Sequence, residues 1–161
     1  MKALSNNGKI TIYQSVPDSF TSSIGTVMGG GKNMTDEQLK EHGIYDCSYP
    51  DGYNSDIHDL SSSPEFDSVN QVYNYTKTDK TFTETLEELK TKKIKHLKSL
   101  GNSKLQETDW YIVRKAETGK EIPGDVSTAR AGIKSKIEEK ETGINNLTEK
   151  ADVITYDINI Q

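Results

Sequence analysis

One cysteine and three histidines are the side chains best suited to nucleophilic or metal chemistry, so their spacing is weighed first. Cys47 has His42 and His58 as its nearest histidines in sequence, but a reactive thiol needs an activating neighbour, and nothing in the intervening residues orients either ring toward it. Cys47 reads as inert. A lone cysteine also closes no internal disulfide, so no oxidising compartment is implied. The acids Asp51, Asp56 and Asp59 sit in a serine-rich stretch and suggest calcium, yet their spacing does not follow an EF-hand loop, and solvation of a loop accounts for them. Gly29-Gly30-Gly31-Lys32-Asn33 suggests a phosphate loop. That motif needs glycine at 26 and serine or threonine at 33, where the chain has Thr26 and Asn33, and no strand leads into it. With no Ser-His-Asp set and no metal spacing, the expectation is a non-enzymatic protein with no cofactor.

Binding chemistry is the remaining class. A net charge of −5 argues against a general affinity for nucleic-acid backbones, which rests on clustered lysine and arginine. The one basic run, Lys90 to Lys98, reads as a solvated helix face, with docking onto an acidic partner or onto Glu138, Glu139 and Glu141 as the functional alternative. Eight tyrosines, concentrated between Tyr45 and Tyr75, suit half-buried strand positions better than a stacking platform for sugars or bases. The N-terminal residues lack an apolar stretch of the signal-peptide kind, and no run approaches the roughly 18 apolar residues that a membrane span requires. A soluble chain with no membrane insertion is expected.

The only tryptophan, Trp110, lies between two long helical patterns. Residues 109–118 read as a short helix, with Asp109 as N-cap, Lys115 near the negative end of the dipole and Gly119 as terminator. Before it, Leu86, Leu89, Ile94, Leu97, Leu100 and Leu105 fall within an arc of roughly 160°, which predicts an amphipathic helix over residues 83–105. Thr81 with Glu84, or Thr85 with Glu88, offers a capping box at its start, and Gly101-Asn102 offers a stop or bend. After it, Pro123 near the first helical position opens a second long helix. Its apolar residues Val126, Ala129, Ile133, Ile137, Ile144, Leu147, Ala151 and Ile154 share an arc of about 100°, narrow enough to want a partner helix. The two fold back as an antiparallel hairpin, with the Trp110 segment at the corner.

The run from Glu107 through Thr108-Asp109-Trp110-Tyr111-Ile112-Val113-Arg114, then Glu117, Gly119, Ile122-Pro123 and Arg130, resembles a "TDWYxxR…E.G..IP…R" signature of small bacteriophage tail proteins. These are described as tail-fibre-associated or tail assembly chaperone proteins. Residues Ile12 to Phe20 and Met34 to Tyr45 are similar to the opening strand and the "DEQLkxxGxY" helix of the same group, whereas residues 51–82 depart from it. The resemblance implies a phage-tail context and carries no catalytic residues. Within it Trp110 and Tyr111 read as packing anchors, and Arg114 and Arg130 as partners of Glu117, Asp125 or a carboxylate on another protein.

The N-terminal half reads as a β-rich module. Residues 8–14 alternate as a strand, and residues 18–33 are flexible by composition. Residues 34–42 form a short helix with a Thr35–Gln38 capping box and Gly43 as terminator, which delivers a strand at 44–49. Pro50-Asp51-Gly52 makes a turn, residues 51–64 a loop, and residues 65–77 a hairpin reversing at Asn70-Gln71. Thr78 to Thr81 link this module to the helices. At the far end Ile154, Tyr156, Ile158 and Ile160 alternate with polar residues, the pattern of an edge strand able to add to a sheet of this or another chain.

The expected fold class is therefore α+β: an N-terminal α/β module over residues 1–80, then a helical hairpin with a terminal strand over residues 81–161. Only 32% of the residues are hydrophobic and the mean hydropathy is strongly negative, which favours an elongated chain or an oligomer. The expected function is a structural adaptor of a phage tail, located in the virion and in the host cytoplasm during assembly. It would contact tail or tail-fibre proteins through Trp110, Tyr111, Arg114, Arg130, Tyr156, Ile158 and Ile160. Two other readings are an assembly chaperone that leaves before the particle matures and a carbohydrate-binding module using the tyrosines.

Overall fold

The computed structural model describes residues 1–160, and the chain is α+β, with a strand-rich first unit at Met1–Lys80 and a helical second unit at Thr81–Gln161. The first unit is organised by a hairpin whose signal is two residues long. Asn7 and Gly8 both take positive φ, 51° and 78°, as a two-residue primed turn requires. They join β1 (Lys2–Asn6) to β2 (Lys9–Tyr13), so the segment expected as a single strand at 8–14 is the second arm of a ribbon. Next come β3 (Phe20–Ser22) and β4 (Gly25–Val27), a separate two-stranded ribbon, and a single 3-10 turn at Gly31–Asn33. The stretch expected to be a flexible loop at 18–33 is thus ordered. Gly31 donates its N–H to the Asp18 carbonyl at 2.9 Å, and a β-carbon at Gly31 would collide with the Pro17 and Asp18 carbonyls.

Helix α1 (Asp36–Glu41) starts with the expected capping box. Thr35 accepts from the Gln38 N–H, the Gln38 side chain accepts from the Thr35 N–H, and Gly43 ends the turn at φ 75°. It leads into β5 (Ile44–Ser48). The segment 51–64 contains β6 (His58–Leu60), which pairs with β9 (Lys77–Asp79) and replaces the expected open loop. Between them, β7 (Glu65–Asp67) and β8 (Val72–Asn74) form the hairpin expected across 65–77. The main sheet runs β2-β1-β5-β8-β7, antiparallel except where β8 lies parallel to β5.

Strand alternation divides that sheet into two unlike faces. Leu4 and Ile44 point to one, where they are buried with Phe20 from β3 and Leu39 from α1. Lys2 on this face bridges Asp36 of α1 at 2.6 Å and Asp46 of β5 at 3.0 Å. Ala3, Cys47 and Tyr73 point to the other, packed with Met1, Ile10, Ile12, Tyr45 and Tyr75. That cluster draws on the sheet's own strands and their ends, and neither α1 nor the β3–β4 and β6–β9 pairs contribute to it.

The second unit is an antiparallel pair of long helices. In α2 (Leu86–Gln106) the capping box is Thr85 with Glu88, the second of the two alternatives. Helix α3 (Asp109–Thr118) spans the expected residues, but Thr108 is its N-cap and Asp109 its first helical residue. Helix α4 (Gly124–Asn145) runs back along α2: Lys90 reaches Asn145, Lys98 reaches Glu141, Gly101 meets Ile137 and Arg130 reaches Leu105. Gly101 does not stop α2, which continues through Gln106. It is buried against Ile137 of α4, and a β-carbon there would strike that side chain.

Two expectations fail at the C-terminus. Helix α4 does not continue to residue 154; Asn145-Asn146 end it, and α5 (Lys150–Thr155) follows as a separate helix. Nor is there a terminal strand. Residues 156–160 make no ladder, and Ile158 and Ile160 are buried with Leu97 and Ile144. Period-two alternation also suits an extended tail that plugs every second side chain into a helical cleft, and burial decides for the cleft.

Candidate interaction site at the tryptophan corner

The turn from α2 to α3 is made by Glu107 and Thr108, and Arg130 of α4 holds it. Its Nη1 donates to the Leu105 carbonyl and to Thr108 Oγ1, both at 2.7 Å, while Nη2 pairs with Asp109 Oδ1 at 2.9 Å. One planar fork thereby ties the last turn of α2 and the first residue of α3 to α4, and it places a cation where the α2 dipole is negative. The expected partner Asp125 is not used.

Arg114 is placed differently. Its guanidinium lies over the Trp110 ring at 4.6 Å and the Tyr111 ring at 5.0 Å, and the two rings are 3.9 Å apart. Nη2 makes a long contact of 3.4 Å to the Glu121 carbonyl, and Nε is buried with no acceptor. Among the described residues Arg114 has no carboxylate partner; the expected Glu117 does not serve, and Glu121 gives its carboxylate to Lys115 at 2.6 Å. Helix α3 itself buries no residue. Trp110 and Val113 are each 52% exposed and Ile112 is 42% exposed, so Trp110 is not the core anchor that its type suggested.

The corner gathers Trp110, Tyr111, Arg114 and Arg130, whereas Tyr156, Ile158 and Ile160 lie elsewhere. The tail isoleucines are interior residues, and the half-buried Tyr156 ring packs against Gly143 of α4. Ile112 and Val113 complete the exposed apolar surface and were not singled out from sequence. Helical spacing of Trp110 and Val113 was the available signal.

The basic run on α2 is only partly a solvated face. Lys90 is buried with its ammonium on the Asn145 carbonyl at 2.9 Å, and Lys93 reaches the Ile154 carbonyl at 2.6 Å. Neither α4 nor α5 has a basic residue in its last turn, and these lysines supply that charge from α2. Lys98 does meet Glu141, at 2.7 Å.

In the first unit Cys47 is 4% exposed and burial pushes its thiol pKa up, opposite to an activated nucleophile. His42 bonds Ser22 Oγ at 3.0 Å and lies edge-on to Phe20; His58 accepts from the Asn54 N–H at 3.0 Å. The described residues form no metal-binding group of histidines, cysteines and acids. Tyr49 lies between Tyr53 and Tyr75, stacked on both at 5.5 and 5.6 Å, so tyrosine meets tyrosine there. No described helix is long and apolar enough to cross a membrane. No protein-family model, curated protein or solved structure matches this chain.

Proposed function

We propose that this protein is a non-enzymatic adaptor of a bacteriophage tail that docks on another tail or tail-fibre protein through the α3 corner. The observation that carries the reading is that α3 buries none of its residues while exposing Trp110, Ile112 and Val113 around an arginine without a carboxylate partner among the described residues. Exposed clusters of aromatic and aliphatic side chains with arginine are typical of protein interfaces, where tryptophan and arginine concentrate the binding energy. The tail context comes from the Trp110-centred motif, whose residues build this corner. An acidic peptide segment with a bulky apolar residue beside its carboxylate fits both the rings and Arg114.

The test is a photo-crosslinking amino acid at Val113, combined with mass spectrometry of purified particles of the encoding phage. The expected result is the chain at fixed copy number, crosslinked to one other tail protein. Absence from mature particles with a crosslink to a tail protein in the infected-cell lysate gives the assembly-chaperone role. Presence in the particle with no crosslink from Val113 refutes docking through α3.

A further inference from the structure

The five-stranded sheet of the first unit has β2 as one of its two outer strands. The backbone direction of each residue in β1 and β2 follows from the turn. Asn6 and Lys9 flank a two-residue loop and form a hydrogen-bonded pair, so Leu4–Thr11 and Lys2–Tyr13 are bonded pairs as well. The residues between them turn away. On β1 this is seen directly, since Met1 accepts from the Cys47 N–H at 2.9 Å toward β5. On β2 the same alternation aims the N–H and C=O groups of Ile10 and Ile12 off the free edge, and no described residue bonds them there.

We propose that β2 is a homodimerisation strand: two copies pair antiparallel about a two-fold axis at Thr11 and fuse their five-stranded sheets into one of ten. The register is self-complementary. Ile10 of each copy exchanges both backbone hydrogen bonds with Ile12 of the other, and Thr11 faces Thr11 as the non-bonded pair between them. Because the axis stands perpendicular to the sheet, the faces carrying Ile10, Ile12, Tyr45 and Tyr73 join on one side, with isoleucine opposite isoleucine across the seam. Charge permits this pairing. Lys9 comes opposite Tyr13, and the two copies of Lys9 stand four residues apart, roughly 13 Å along the strand.

The opposite edge of the sheet is built the other way. β7 has three residues, and pairing it with itself would set Glu65 against Asp67 across the seam. β2 is five residues long, alternates isoleucine with polar residues and contains neither proline nor an acid. One edge is guarded and the other is open, which selects a closed dimer over an unlimited stack.

Cysteine placement on the full chain tests this directly, because native Cys47 is buried. In Thr11→Cys the two thiols meet across a non-bonded pair, with α-carbons about 4.5 Å apart, within disulfide reach. In Lys9→Cys and Tyr13→Cys the like thiols lie four residues apart and cannot bridge. The expected outcome is a doubled mass in sedimentation velocity for the native chain, with oxidative crosslinking of Thr11→Cys and loss of crosslinking in the other two. Ile12→Pro removes an outward-pointing donor without breaking a β1–β2 bond, and is expected to yield a monomer with an unchanged far-ultraviolet spectrum. A monomeric native chain, or equal crosslinking at all three positions, overturns the proposal, and the cysteine series decides even if Ile12→Pro does not fold.

Discussion

Replacing Arg130 with methionine tests how the corner is held, because methionine keeps the apolar stem of the side chain and removes only the charged fork. Three contacts disappear: two charge-assisted hydrogen bonds at 2.7 Å, and an ion pair at 2.9 Å whose Asp109 side chain is half exposed. A hydrogen bond to a charged group is worth about 1.5–3 kcal/mol, and the exposed ion pair adds less than about 1 kcal/mol. The Leu105 carbonyl keeps the Thr108 N–H and Oγ1 as donors, so no buried acceptor is orphaned and the loss stays at the low end of the sum. The expected destabilisation of the second unit is about 3 kcal/mol, or about 12–24 °C in Tm for a unit of this length. Urea unfolding followed by fluorescence of Trp110, the only tryptophan and the residue after Asp109, reports it. Arg130→Lys is expected to lie between the two, because an ammonium holds one acceptor well and a planar fork holds several. A loss below about 0.5 kcal/mol for Arg130→Met would refute the account of Arg130 as the clamp of the corner.

Three further outcomes are expected. Ile158→Ala should cost about 2–4 kcal/mol in the same unfolding assay, as an interior aliphatic truncation does, whereas an exposed strand residue would cost under about 0.5 kcal/mol. Glu84 is held at about 2, below its ordinary value of 4.5, first by the hydrogen bond from Lys92 and then by its own backbone N–H. A carboxylate with a depressed folded pKa favours the native state above its unfolded pKa and ceases to do so as pH falls through the folded one. Stability should therefore decline between about pH 4.5 and pH 2, and Glu84→Gln should flatten that limb in an acid titration followed by circular dichroism. Cys47 should resist a thiol reagent in buffer and react at once in urea; rapid labelling of the native chain would contradict its burial.

Local signals were legible where local chemistry decides. The Thr35–Gln38 capping box, Gly43, the hairpin reversing near Asn70-Gln71 and the span of α3 each rest on a few adjacent residues that favour one backbone path. The Asn7-Gly8 turn is an equally local signal, whereas the alternation of residues 8–14 alone marks one strand of the ribbon and not its mate. The corner was legible as a place but not in its pairings. On sequence grounds Arg130 is matched with Glu117 or Asp125, and only the path of the α2–α3 turn brings Asp109 within its reach instead.

By itself the sequence determined that two long amphipathic helices flank a short one, that a strand-rich half precedes them, and that no familiar catalytic or metal-binding motif is written in the chain. These follow from periodicity, capping and residue inventory, which act over a few neighbouring residues. Only the tertiary structure decided which apolar residues are interior. Trp110, the most apolar-bodied side chain available, is left half exposed, while Ile158 and Ile160 fill the cleft between α2 and α4, and Lys90 is buried because the α4 terminus needs its charge. Burial depends on where distant segments meet, and no property of a residue and its neighbours encodes that meeting.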